Sequence, residues 1–193
     1  NELKKQFAGR KVMLLAPGRS VVDRMAEIKT FIAREKPVVI GVNALIPGYG
    51  YDKVFFTNSV RYAYAQEAHK ELFDAPEKIL LSNIKTEGGS KEVIINFNLA
   101  IKRGWVHFDN AVICALRMLD KIGVNDVALA GFDGFKTHYN ESYADASLPK
   151  LNPSGKWEDL NREIRGIYAD FRLATKDTMK IQFVTDSIFD IGI

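Results

Sequence analysis

The feature that most constrains the fold of this chain is a series of short, unbroken apolar runs, each of strand length and each closing on a turn-forming residue. Lys11-Val12-Met13-Leu14-Leu15-Ala16 runs into Pro17-Gly18, Pro37-Val38-Val39-Ile40-Gly41-Val42 into Asn43, and Lys53-Val54-Phe55-Phe56-Thr57 into Asn58. Similar runs follow at 78–83, 93–97, 126–134 and 181–186. Unbroken apolar runs suit strands buried on both faces, as in parallel sheets, better than half-exposed strands, which alternate.

Between the runs the period changes. From Ser20 onward Val21, Met25, Ile28, Phe31 and Ile32 fall at three- and four-residue spacings, and 61–73, 110–122 and 157–176 also read as helix. The 110–122 segment is apolar around most of its circumference, as expected of a helix packed closely on a sheet. Strands alternating with helices predict an α/β fold: a three-layer, Rossmann-like arrangement with a mainly parallel sheet and helices on both faces.

A length of 193 residues suits one domain, and neither a linker nor an internal repeat divides residues 1–193. The 27 basic and 24 acidic side chains are interspersed, with a formal net charge of only +3, which argues against nucleic acid as the main partner. No run of about 18 apolar residues and no charged-then-apolar leader is present, so no membrane partner is expected and the chain reads as cytoplasmic. The single Cys114 lies in an apolar helical stretch, which excludes an intrachain disulfide and reads as a buried, inert thiol. The sequence begins at Asn1, without an initiator Met, followed by a charged helical segment, and either processing or excision from a longer polypeptide would account for this.

Open parallel sheets place ligands beyond the carboxyl ends of their strands, where loops and helix N-termini converge. The residues just after each run are therefore the informative ones. In Ala16-Pro17-Gly18-Arg19-Ser20 the Gly permits close backbone approach, while Ser20 can cap a helix whose N-terminus suits an anion such as phosphate. The loop is neither a Gly-x-Gly-x-x-Gly fingerprint nor a Walker loop, and an ordinary tight turn with a Ser cap is the plain alternative. Asn43 and Asn58 offer donors and acceptors at strand ends, suited to a base or ribose edge, although turn-forming Asn is equally ordinary there.

Asp133, between Phe132 and Gly134, is placed to bind a hydroxyl, a cation or a metal-bound phosphate; the alternative is a cap for the following turn. His138, in a polar loop beside Tyr139, could act as general base near neutral pH or simply be solvent-exposed. His107 lies in the apolar segment Trp105-Val106-His107-Phe108 and reads as a satisfied structural residue, and His69 as helix surface. With three scattered His and one Cys no His/Cys zinc site can be assembled, which leaves room only for a divalent cation held by oxygen ligands.

Taken together, 12–20, Val39-Ile40-Gly41-Val42-Asn43, and Asn110 through Gly131-Phe132-Asp133-Gly134 resemble a Rossmann-like superfamily. It contains bacterial sialyltransferases, motility-accessory glycosyltransferase-like proteins and archaeal 6-hydroxymethylpterin diphosphokinases, and the resemblance covers roughly residues 11–140. It implies a nucleotide bound by a Gly-x-Gly-x-Ser turn, an Asn after the second strand and a Gly-x-Asp strand end. Carried onto this chain, Gly18 and Ser20 would meet phosphate, Asn43 the nucleotide, and Asp133 the second substrate or a cation, with Arg19, Asn58 and Gly131 counted among the nucleotide-binding residues. His138 would correspond to a downstream catalytic His. The chain departs from the pattern in having Ala16-Pro17 where many members have Gly-Asn or Gly-Pro, and Arg19 where Pro or Lys is common.

A second resemblance concerns 51–58 with Arg61-Tyr62, which look like the C-terminal extension of bacterial aldolases similar to 3-hydroxy-3-methylglutaryl-CoA lyase. It implies a covalently linked upstream barrel domain, which needs on the order of 250 residues and would hold any lyase chemistry. Two functions are expected from these readings. One is a module that binds a phosphate or nucleotide ligand, appended to such an aldolase. The other is a transferase using a nucleotide-activated donor, with Asp133 and His138 as its catalytic pair.

Overall fold

The computed structural model describes residues 2–89, 91–136, 139–151 and 156–192. In chain order the elements are α1 (Glu2–Phe7), β1 (Val12–Leu15), α2 (Ser20–Asp23), α3 (Met25–Glu35), β2 (Val38–Val42), β3 (Lys53–Phe56), α4 (Ser59–Ala68) and α5 (Lys70–Asp74). There follow β4 (Glu77–Leu81), β5 (Glu92–Ile95), α6 (Phe97–Ala100), α7 (Ala111–Lys121), β6 (Asp126–Ala130), a 3-10 turn (Tyr139–Ser142), α8 (Trp157–Thr175) and β7 (Lys180–Phe183).

Among the described residues seven strands form one parallel sheet in the order β5-β4-β3-β2-β1-β6-β7. Every apolar run read from the sequence supplies one strand. The central strand β1 is buried throughout, with Val12 opposite Val38 on one side and Val127 on the other. Alternate residues feed the two faces. Val12 and Leu14 pack with α1, α7 and α8, whereas Met13 and Leu15 pack with Val21, Ile28 and Phe31 from α2 and α3. Farther out, Val54, Phe56 and Leu80 meet Ala65 and Phe73 from α4 and α5 on that second face. The result is the three-layer, Rossmann-like α/β arrangement.

The helices follow from local signals. Asn58 caps α4 by accepting the Arg61 N–H at 2.9 Å, and Asn110 caps α7 by accepting the Ile113 N–H at 3.2 Å. In α8, Leu160, Ile164, Ile167, Tyr168 and Phe171 are buried at helical spacing, which seats it lengthwise on the core.

The 61–73 segment corrects the sequence reading, because it forms two helices that break at His69 (φ −131°, ψ 45°). The His69 ring is not helix surface. It turns inward where the helix breaks, with Nε2 3.4 Å from Asp145 Oδ2 and its ring edge-on to Tyr64. The stretch 105–108 also differs from its apolar reading: it is a run of turns, with Val106 79% exposed.

Candidate functional site

The chain steps outward from β1 through β2, β3, β4 and β5, then crosses back to place β6 on the other side of β1. Right-handed crossovers in opposite directions put the intervening helices on opposite faces. The ends of β1 and β6, at this switch in strand order, are where an open parallel sheet places a ligand site.

At the junction the two backbones nearly touch. Ala16 N–H donates to Ala130 O at 2.8 Å and Gly18 N–H to Gly131 O at 2.9 Å. A Cβ on Gly18 would lie 2.3 Å from Gly131 O, and one on Gly131, whose φ is +75°, would lie 2.1 Å from Ala16 O. Only glycine fits at either position.

Beyond the glycines, Asp133 folds back onto the α2 start. Its Oδ2 accepts the Ser20 N–H at 2.8 Å and its Oδ1 the Ser20 hydroxyl at 2.5 Å. Ser20 Oγ also lies 3.0 Å from Thr185 Oγ1, which accepts the Gly131 N–H at 3.1 Å. Burial raises the Asp133 carboxyl above its ordinary value, and the two Ser20 donors pull in the opposite direction. Ser20 is thus the first residue of α2 and not its cap. Arg19 holds the cap position in αR conformation without a side-chain bond, and the capping group is a carboxylate 113 residues away. Asp133 is a cap, but of α2 and not of its own turn.

A cavity of about 410 Å³ opens beside this junction. Gly18, Gly131 and Asp133 line it from the β1 and β6 side, and Asn43, Thr57 and Asn58 from the β2 and β3 side. Arg19 and Ser20 do not line it; the Arg19 side chain is solvent-facing and pairs with Asp23 at 3.2 Å. Asn43, in left-handed conformation (φ 53°), is bound to Thr57 twice: Oδ1 accepts the Thr57 N–H and Nδ2 donates to its hydroxyl, both at 2.8 Å. These bonds lock the β2 end to the β3 end. His138 lies outside the described residues.

Arg61, Tyr143 and the pair His107 and Glu163 are groups whose part in this region sequence reasoning did not anticipate. Arg61 is 2% exposed, lines the cavity from the first turn of α4, and lies over the Tyr143 ring at 5.0 Å from its centroid. A cation in the first turn opposes the helix dipole, and that misplacement is the sequence signal that could have singled it out. Residues 142–144 are held above the β1 turn by Arg19 N–H to Ser142 O (3.1 Å) and Ala144 N–H to Pro17 O (2.9 Å), which brings Tyr143 to the site. From the opposite side come the first turn of α7, with Asn110, Ala111 and Val112, and His107 from the preceding turn. The His107 ring is hydrogen-bonded through Nδ1 to Glu163 of α8.

No protein-family model matches the chain, and no curated protein or solved structure matches it. Function therefore rests on the chemistry of the cavity. Among the described residues no three His, Cys, Asp or Glu side chains gather as a metal site, and both Asp133 oxygens already accept bonds from Ser20. Among the same residues no helix is long and apolar enough to cross a membrane.

Proposed function

We propose that this domain binds a phosphate-bearing small molecule, a nucleotide in the first instance, in the cavity at the switch in strand order. The observation that carries the reading is the buried Arg61 guanidinium in the cavity wall. A cation held in a poorly solvated recess attracts an anion far more strongly than one in water, and guanidinium matches phosphate oxygens two at a time. The first turns of α4 and α7 border the same space; Asn58 and Asn110 cap the Arg61 and Ile113 N–H groups there, and the dipole ends of both helices still favour an anion. Phe132, Phe135 and Tyr143 add ring surface suited to a base, and a volume of about 410 Å³ falls in the usual range for a small-ligand pocket.

In this reading the anion sits beside Arg61, while Gly18 and Gly131 allow the ligand to approach the strand ends and Ser20 steadies Asp133. The domain then serves as the C-terminal module of an aldolase similar to 3-hydroxy-3-methylglutaryl-CoA lyase, with any lyase chemistry in a linked barrel. A thermal-shift series with cytidine, uridine, guanosine and adenosine nucleotides tests the binding. A ligand at 100 times its Kd that binds only the folded state should stabilise it by about 2.7 kcal/mol. If no nucleotide shifts the transition at millimolar concentration, the reading falls.

A second reading, a transferase with a nucleotide-activated donor, is favoured by His107, which lines the same cavity and is hydrogen-bonded to Glu163 behind it. Turnover of an activated donor by the isolated domain would select it over the binding module.

A further inference from the structure

The turn that carries His107 is gripped by one carboxylate. Glu163 Oε1 accepts the backbone N–H of Val106 and that of His107 (3.3 Å), and Oε2 is bonded to the His107 ring at Nδ1. Three donors from two consecutive residues thus converge on a single side chain. Glu163 sits on α8 between Leu160 and Ile164, both of which line the cavity, as does His107 itself.

Burial pushes the Glu163 carboxyl up, but the His107 ring and the two backbone N–H groups outweigh it and hold the carboxyl below its ordinary value. An ionised carboxylate only accepts hydrogen bonds, so Nδ1 must carry the proton, and in the neutral ring the lone pair then lies on Nε2. His69 differs: its Nε2 faces Asp145, its ring packs on Tyr64, and it does not line the cavity.

We propose that His107 is the proton-accepting group of the cavity, with Glu163 as the positioning residue that leaves Nε2 free for a hydroxyl of the bound ligand. The proposal rests on the cavity being a ligand site and adds that the ligand carries an ionisable hydroxyl. When that hydroxyl reacts, its O–H bond breaks, the electron pair stays on oxygen, and an N–H bond forms at Nε2. The imidazolium so created is balanced by the Glu163 charge.

Two measurements on the full chain test this. In protein labelled with 15N-histidine, resonances are assigned by the single variants H69Q, H107Q and H138Q, and the spectrum is recorded where titration shows the rings neutral. The expected result is a protonated Nδ1 and an unprotonated Nε2 for His107, with E163A moving the population toward protonated Nε2. A protonated Nε2 in the unmodified protein overturns the proposal. Carbethoxylation of His107 by diethyl pyrocarbonate, read by peptide mass spectrometry, is then followed with cytidine or uridine diphosphate, whose binding is measured separately by calorimetry. At ten times its Kd the nucleotide should slow modification of His107 roughly tenfold, in proportion to the free fraction. Binding that leaves the rate unchanged makes the pair a purely structural tie and overturns the proposal. If neither nucleotide binds, the nucleotide reading fails on its own, and the tautomer decides the role of His107.

Discussion

The two sides of the switch point are built on opposite principles. On the β1 and β6 side, Gly18, Gly131, Ser20, Asp133 and Thr185 form a closed junction in which backbones touch and the α2 start is already filled by a carboxylate. On the side of β3, α4 and α7, a buried cation, two helix starts and a histidine held from behind face open space. Most residues that stand out in the sequence lie on the first side, with Asn43 and Asn58 on the second, where Arg61 and His107, which do not stand out, also line the cavity. Short-range motifs announce backbone geometry, whereas the charged lining of a cavity comes from residues that look ordinary in the chain.

The comparison breaks most severely at Gly131. G131A places a methyl group against Ala16 O in a left-handed backbone, and strain plus overpacking should destabilise the fold by about 2–5 kcal/mol, read from urea midpoints. A loss under about 0.5 kcal/mol would mean that the junction is not closed as described. Next comes R61M, which keeps an unbranched side chain but removes the charge. It should weaken nucleotide binding about 100-fold, or about 2.7 kcal/mol, while far-ultraviolet circular dichroism stays native. Retained affinity would move the anion away from α4.

A smaller effect is expected of S20A, which removes the hydroxyl linking Asp133 and Thr185 and should cost about 1 kcal/mol of stability. Nucleotide affinity should be unchanged; a large loss of affinity with unchanged stability would return the phosphate to the α2 start.

The smallest effect concerns pH. Burial raises the Asp133 carboxyl in the folded chain above its ordinary value of 3.8, so between those two values the folded state binds the extra proton. Its stabilising contribution is complete below the unfolded value and is lost as pH rises through the folded one. The stability of the native protein relative to D133N should therefore grow as pH falls from about 7 toward 4, as measured by paired urea titrations. A difference that shrinks over the same interval would place a net attraction, and not burial, in control of this carboxylate.

Among the described residues the seven strands, their parallel pairing and most of the helices were determined by the sequence itself, because unbroken apolar runs and three-to-four spacing are local consequences of which faces must be buried. The same is true of Gly18 and Gly131 at strand ends, since a tight approach demands glycine wherever the strands lie. Tertiary structure alone decided the rest. Asp133 caps a helix 113 residues away, His69 breaks a helix to meet Asp145, and Glu163 reaches from α8 to His107, none of which has a signature within a turn or two of chain. Arg61 shows the division most plainly: its place in the first helical turn can be read from the sequence, but its burial over Tyr143 depends on a distant loop that pairs with the β1 turn.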